Sequence, residues 1–275
     1  MEYITMRNGT KVPMLGLGCY KSEEQEGVEA VKSAIEIGYR HIDTANFYEN
    51  EKYVGRGIRE SGIDREKLFV VSKIWPTSFK TPEVAIEYSM RALNIDYIDM
   101  YLLHWPSQNE YARNHAFETL LKYKEKGYFK EVGVSNFKKE HLEKLKETFG
   151  FYPMMNQIEI SPWLQKKEDY AFCQENDIVM TACVPFAKGN ILNDPKLVEI
   201  AEKHGKNVGQ VILRWNIQRG NCVIPKSSKP HRIADNFNIF DFELDADDMA
   251  VIGTMENGNS YCSDSSVFTG DFWNI

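Results

Sequence analysis

Residues 68–106 read LFVVSKIWPTSFKTPEVAIEYSMRALNIDYIDMYLLHWP. Two apolar runs of strand length, 68–72 and 99–103, flank a longer segment, 82–93, in which apolar and charged side chains mix as on an amphipathic helix. A strand, a helix and another strand therefore follow in order, the βαβ unit of a parallel sheet.

The same rhythm extends in both directions. Further strands are expected at 14–18, 41–43, 131–134, 155–159, 179–182 and 222–224, which brings the number to eight. Helices fit at 22–37, 116–126, 138–149, 167–175 and 194–204, with 208–218 as an extra one near the C-terminus. Eight strands alternating with helices in 275 residues point to an α/β (β/α)8 TIM barrel rather than an open doubly wound sheet. The glycine-rich phosphate turn of the open sheet is also missing, because Gly16 and Gly18 are followed by Lys21 instead of a third glycine. Ahead of the barrel, residues 3–12 alternate around Asn8-Gly9, the signature of a tight β-hairpin. No low-complexity tract or linker divides the chain, so residues 1–275 are expected to form a single domain. The tail 258–275, with Phe268, Phe272 and Trp273, reads as a loop.

Composition narrows the partners. A formal charge of -7 argues against nucleic acid and against anionic membranes, both of which select a basic surface. The five cysteines are scattered without metal-type spacing and read as reduced thiols. The opening MEYITMRNGTKVP carries charges where a secretory leader needs an apolar run, and no segment reaches membrane-spanning length. The expectation is a cytoplasmic monomer acting on a small molecule.

In a barrel of this type the functional groups stand at the C-terminal strand ends. Reading along the chain, those positions hold Asp43 and Tyr48 in HIDTANFYEN, Lys73 in VVSKIWP and His104 in YLLHWP. Ser135 and Asn136 in GVSNF, Gln157 in MNQIE, and Lys226 with Ser227 in VIPKSS follow. Four of them make a coherent acid catalyst for carbonyl reduction. A free tyrosine, with a pKa of about 10, gives up its proton reluctantly. An adjacent ammonium, Lys73, is expected to lower that pKa by stabilising the phenolate, and Asp43 to keep the ammonium charged and aimed. His104, as a neutral imidazole, suits a hydrogen bond to a carbonyl oxygen. Taken singly, Asp43 also reads as a helix cap, Tyr48 as a rim aromatic and His104 as a core histidine; their joint placement carries the argument. A metal-dependent hydrolase barrel is the competing enzyme class, since His41, Asp43 and His104 share strand ends. It lacks a second histidine pair or acid cluster, and no metal is expected.

With these motifs in hand, the chain resembles the aldo-keto reductase superfamily from Gly16 to about Met255. The resemblance rests on the spacing of Asp43 and Tyr48, Lys73 before Ile74-Trp75, His104 before Trp105-Pro106, then GVSNF and IPKSS. It implies a catalytic tetrad of Asp43, Tyr48, Lys73 and His104, with Tyr48 as general acid and NADPH/NADP as cofactor. It further implies that Ser135, Asn136 and Gln157 bind the nicotinamide carboxamide, that Lys226, Ser227 and Arg232 grip the 2'-phosphate, and that Asn236 lies near the adenine. Three departures stand out: Cys183-Val184 occupies the place of a stacking tyrosine and its usual serine neighbour, Asp235 that of a glutamate, and Tyr20 that of a tryptophan. Tyr20, Phe47, Trp75 and Trp105 are expected to line the pocket for a small carbonyl substrate. The short segment after His104 is similar to the microbial and protist branches, which include diketogluconate reductases and prostaglandin F synthase-like enzymes. A second implied reading is an NADPH-binding accessory or sensor protein of the same fold.

Overall fold

The structure, a computed structural model, describes residues 1–262. β1 (Tyr3–Thr5) and β2 (Lys11–Pro13) pair antiparallel, and Gly9 takes the positive φ of 88° that their turn requires. Eight parallel strands follow in sequence order: β3 (Leu17–Gly18), β4 (His41–Asp43), β5 (Phe69–Ile74), β6 (Ile98–Leu103), β7 (Phe129–Ser135), β8 (Met155–Glu159), β9 (Val179–Cys183) and β10 (Cys222–Val223). The barrel closes because residues around β3 also bridge the last strand, at Leu15↔Val223 and Gly18↔Lys226. At that seam a β-carbon on Gly18 would lie 2.8 Å from the carbonyl oxygen of Ile224, so only glycine lets the two backbones meet.

The strands are sealed on both sides. Val70, Val71, Met100, Tyr101, Leu102 and Leu103 are all fully buried, as expected where a parallel sheet is covered by helices. That cover consists of α1 (Glu24–Ile37), α2 (Glu51–Glu60), α3 (Pro82–Leu93), α4 (Glu110–Glu125), α5 (Lys139–Phe149), α6 (Lys167–Glu175), α7 (Pro195–His204), α8 (Val208–Gln218), α9 (Pro230–Phe237) and α10 (Ala246–Gly253). None is long and apolar enough to cross a membrane.

Helices α9 and α10 were given no bounds by the sequence reading, and α4 and α2 depart from it. α4 begins at Glu110 rather than at 116, because the Asn109 side chain accepts the Ala112 N–H at 3.0 Å and caps a polar first turn that hydrophobic periodicity does not mark. α2 was not anticipated, since Gly55 and Gly57 weaken its helical signal. Those glycines let it pack between α1 and α3: a β-carbon on Gly55 would lie 1.9 Å from the Leu93 carbonyl oxygen, and one on Gly57 2.8 Å from Val31 Cβ. Of the expected C-terminal loop, residues 258–262 lack regular structure. Phe268, Phe272 and Trp273 lie outside the described residues.

Register decides what faces the barrel mouth. Asp43 pairs with Val71, Lys73 with Leu102, Leu102 with Gly133, Ser135 with Gln157 and Glu159 with Cys183. Side chains alternate along a strand, so stepping by two from each partner puts Asp43, Lys73, His104, Ser135, Gln157, Glu159 and Cys183 on one face. One rim therefore collects polar groups from six consecutive strands.

Candidate active site

Lys73 is completely buried, and its ammonium donates to Asp43 Oδ1 at 2.6 Å and to the Thr44 carbonyl oxygen at 2.7 Å. The second oxygen of Asp43 accepts from Gln157 Nε2 at 2.7 Å. Both charges thus have partners in a medium where an isolated ion is costly. Two of the three ammonium protons are committed, and the Tyr48 ring centroid lies 5.2 Å from Nζ.

Tyr48 closes a single 3-10 turn, Asn46–Tyr48, that follows β4. Its ring meets Tyr20 edge-on at 5.0 Å and His104 at 5.5 Å between centroids. Burial first, and the Asp43 carboxylate second, hold its phenol well above the ordinary range. This corrects the expectation that Lys73 lowers it: the ammonium is already neutralised by Asp43, so desolvation wins. The phenol therefore stays protonated at neutral pH. For His104 the expected neutral state holds, because burial and then the Lys73 charge push its pKa well below the ordinary value. Its buried Nδ1 has no hydrogen-bond partner among the described residues, and the ring stands perpendicular to Trp75 at 5.0 Å.

Ser135 Oγ and the Asn136 N–H both donate to the Gln157 carbonyl oxygen, at 2.7 and 2.9 Å. Asn136 adopts a φ of 61°, which asparagine tolerates, and its side-chain amide donates to the His104 carbonyl oxygen at 3.0 Å. Half-buried Cys183 ends β9. The next residue, Val184, has a φ of 50°, a strained conformation for a β-branched side chain, costing about 1–3 kcal/mol. Beyond β10, Lys226 and Arg232 are exposed and have no hydrogen-bond or ion-pair partner among the described residues. Lys229, a third cation in the same stretch of sequence, pairs with Glu26 at 2.8 Å. Ser227 and Asn236 are buried nearby.

The aromatic residues separate into two groups. Phe47 stacks on Trp75 at 3.9 Å and, like Tyr20, is about half exposed, forming an open apolar shelf beside Tyr48. Trp105 is buried and lines a neighbouring cleft of about 280 Å³ together with Asn136, Glu159 and Cys262.

Two carboxylates escaped the sequence reading. Glu159 is recoverable in principle, lying two residues after Gln157 and hence on the same face. Glu51, in the first turn of α2, accepts from Ser72 Oγ at 2.5 Å. Burial lifts its carboxyl from 4.5 to about 7, against opposing hydrogen bonds and the Lys73 charge. Because the folded pKa is raised, the neutral form stabilises the fold fully below about pH 4.5, and this contribution is lost as pH rises to about 7. Glu51→Gln is expected to flatten that dependence, on the order of 3 kcal/mol, in urea melts taken from pH 5 to 8. Parallel curves for the two proteins would contradict the assignment.

Three comparisons bear on the identity. A model of the Aldo/keto reductase family matches residues 9–256. Glyoxal reductase of Bacillus subtilis is 45% identical over 92% of this chain and 92% of its own length. A crystal structure of an aldo/keto reductase from Brucella melitensis superposes with a TM-score of 0.89 at 41% identity, covering 93% of this chain and 99% of that one. A crystal structure of a Gox0644 mutant in complex with NADPH gives 0.91 at 36% identity, covering 96% and 97%.

Proposed function

The chain belongs to the aldo/keto reductase family, and from that premise we propose that it reduces small aldehydes and ketones to alcohols with NADPH, using Tyr48 as the proton donor. The observation that carries this reading is the buried Lys73–Asp43 pair set beside a protonated Tyr48 and a neutral His104 at one barrel rim.

The residues fit the cofactor. Lys226 and Arg232, unpaired among the described residues, follow the last strand and suit an extra phosphate, and Ser135, Asn136 and Gln157 offer a hydroxyl and two side-chain amides beside Lys73 and Asp43. NADPH supplies a hydride when bound. His104 orients the carbonyl by a hydrogen bond to its oxygen. Tyr48 donates to the same oxygen and yields its proton as negative charge builds there, since an alkoxide is a far stronger base than a phenolate. Lys73 then offsets the phenolate charge, and Asp43 fixes the direction of Lys73. The Phe47–Trp75 shelf and Tyr20 receive the substrate's apolar part, and Cys183 at the end of β9 would help to hold the nicotinamide.

NADPH consumption with a panel of aldehydes and ketones tests the proposal, and tight NADPH binding without turnover would favour the accessory reading instead. NADPH is expected to be preferred over NADH. Arg232→Ala should weaken NADPH use on the order of tenfold to a hundredfold, the worth of one charge-assisted hydrogen bond, and leave NADH use unchanged. Equal use of the two cofactors by the native protein would sink the phosphate assignment.

A further inference from the structure

Glu159, at the end of β8, is buried directly opposite Cys183 in the strand register. Its carboxylate accepts three hydrogen bonds from the C-terminal segment: the Tyr261 N–H at 2.8 Å, the Cys262 N–H at 2.9 Å and Ser260 Oγ at 2.7 Å. Charge-assisted bonds of this kind are strong, so the segment is pinned beside the end of β9. Its consequence is a thiol pair: the Glu159 carboxylate that holds the Cys262 N–H at 2.9 Å belongs to the strand residue paired with Cys183, which brings the two cysteines together. Both are half-buried, whereas Cys19, Cys173 and Cys222 are buried. Either one, as a thiolate, stands close enough to raise the Tyr48 pKa further.

We propose that Cys183 and Cys262 are a redox modification site, closed to a reversible disulfide by a hydroperoxide, and that the closed form excludes the nicotinamide cofactor. The exclusion rests on the function proposed above; the disulfide itself does not. The Cys262 thiolate attacks one peroxide oxygen, forming S–O as O–O breaks, and the departing oxygen takes a proton. Cys183, as thiolate, then attacks the Cys262 sulfur. S–S forms, S–O breaks, and the hydroxide leaves as water with the proton given up by Cys183. Two thiols lose two electrons, and one peroxide gains them. The order follows from environment: the neighbouring Cys262, then burial, hold the Cys183 thiol well above its ordinary range, which leaves Cys262 to meet the peroxide first. A disulfide requires Cα atoms within roughly 4.4–6.8 Å. The segment is therefore drawn onto the end of β9, across the floor beside Tyr48.

The test uses the full-length protein. After hydrogen peroxide treatment and alkylation, mass spectrometry should find a Cys183–Cys262 peptide that disappears with dithiothreitol, and NADPH binding followed by fluorescence should be lost and recovered in step. Cys262→Ser should bind NADPH as the reduced native protein does and keep that binding under peroxide. No cross-linked peptide, or a different pairing, overturns the site; the correct cross-link with NADPH binding intact overturns the exclusion. Failure of the functional reading is distinguishable, because it would show as absent turnover in the reduced protein, whatever the peptide map.

Discussion

Tyr48→Phe should lower carbonyl reduction by roughly 10²–10⁴-fold, the range typical of a lost general acid, while NADPH binding stays near its native value. The substitution removes one oxygen and keeps the ring, so the edge contacts with Tyr20 and His104 survive. No other group at the rim can replace the donor well: His104 is held neutral, and both accounted Lys73 protons are spent on Asp43 and Thr44. The loss should therefore appear in kcat, with little change in KM, because the hydroxyl acts as charge develops on the substrate oxygen. Steady-state rates together with a fluorescence titration of NADPH separate the two. A variant that kept most of its kcat would show that Tyr48 is not the acid.

Asp43→Ala should cost more stability than any other single change at the rim, about 3–5 kcal/mol, read as a lower urea midpoint. It leaves a fully buried ammonium with one neutral acceptor, the Thr44 carbonyl oxygen, and strips the Gln157 amide of its partner. Adding Lys73→Met should recover much of the lost stability, because the uncompensated charge goes with the second substitution. Activity should not return, since the phenolate would then lack its counter-charge. A destabilisation that the double variant fails to relieve would mean that the cost comes from packing rather than from the stranded charge.

The placement of Asp43, Lys73 and His104 at one rim was legible because strand ends follow from the eightfold rhythm. Glu51 and α2 were not, because Gly55 and Gly57 look like helix breakers until their neighbours are known. Lys229 illustrates a different limit. A cation in sequence gives no sign of the glutamate that neutralises it, here Glu26 in a distant helix. The sense of the Tyr48 shift failed for a related reason, since residue types at strand ends say nothing of the burial that holds the phenol protonated. The Cys183–Cys262 contact lies beyond sequence reading too, as it depends on the bonds Glu159 makes to the C-terminal segment.

The closure of the barrel also governs when the site comes into being. The strand that precedes Asp43 must pair with the last strand, through Leu15↔Val223 and Gly18↔Lys226, so the first and final parts of the barrel are adjacent in space and remote along the chain. Contacts of such separation form late, after the loop entropy between them has been lost. A nascent chain halted before residue 222 would hold Asp43, Tyr48, Lys73 and His104 on an open sheet with an unpaired edge. The rim is thus complete only once the last strand has been made, and the half-made protein is most exposed to association through that edge.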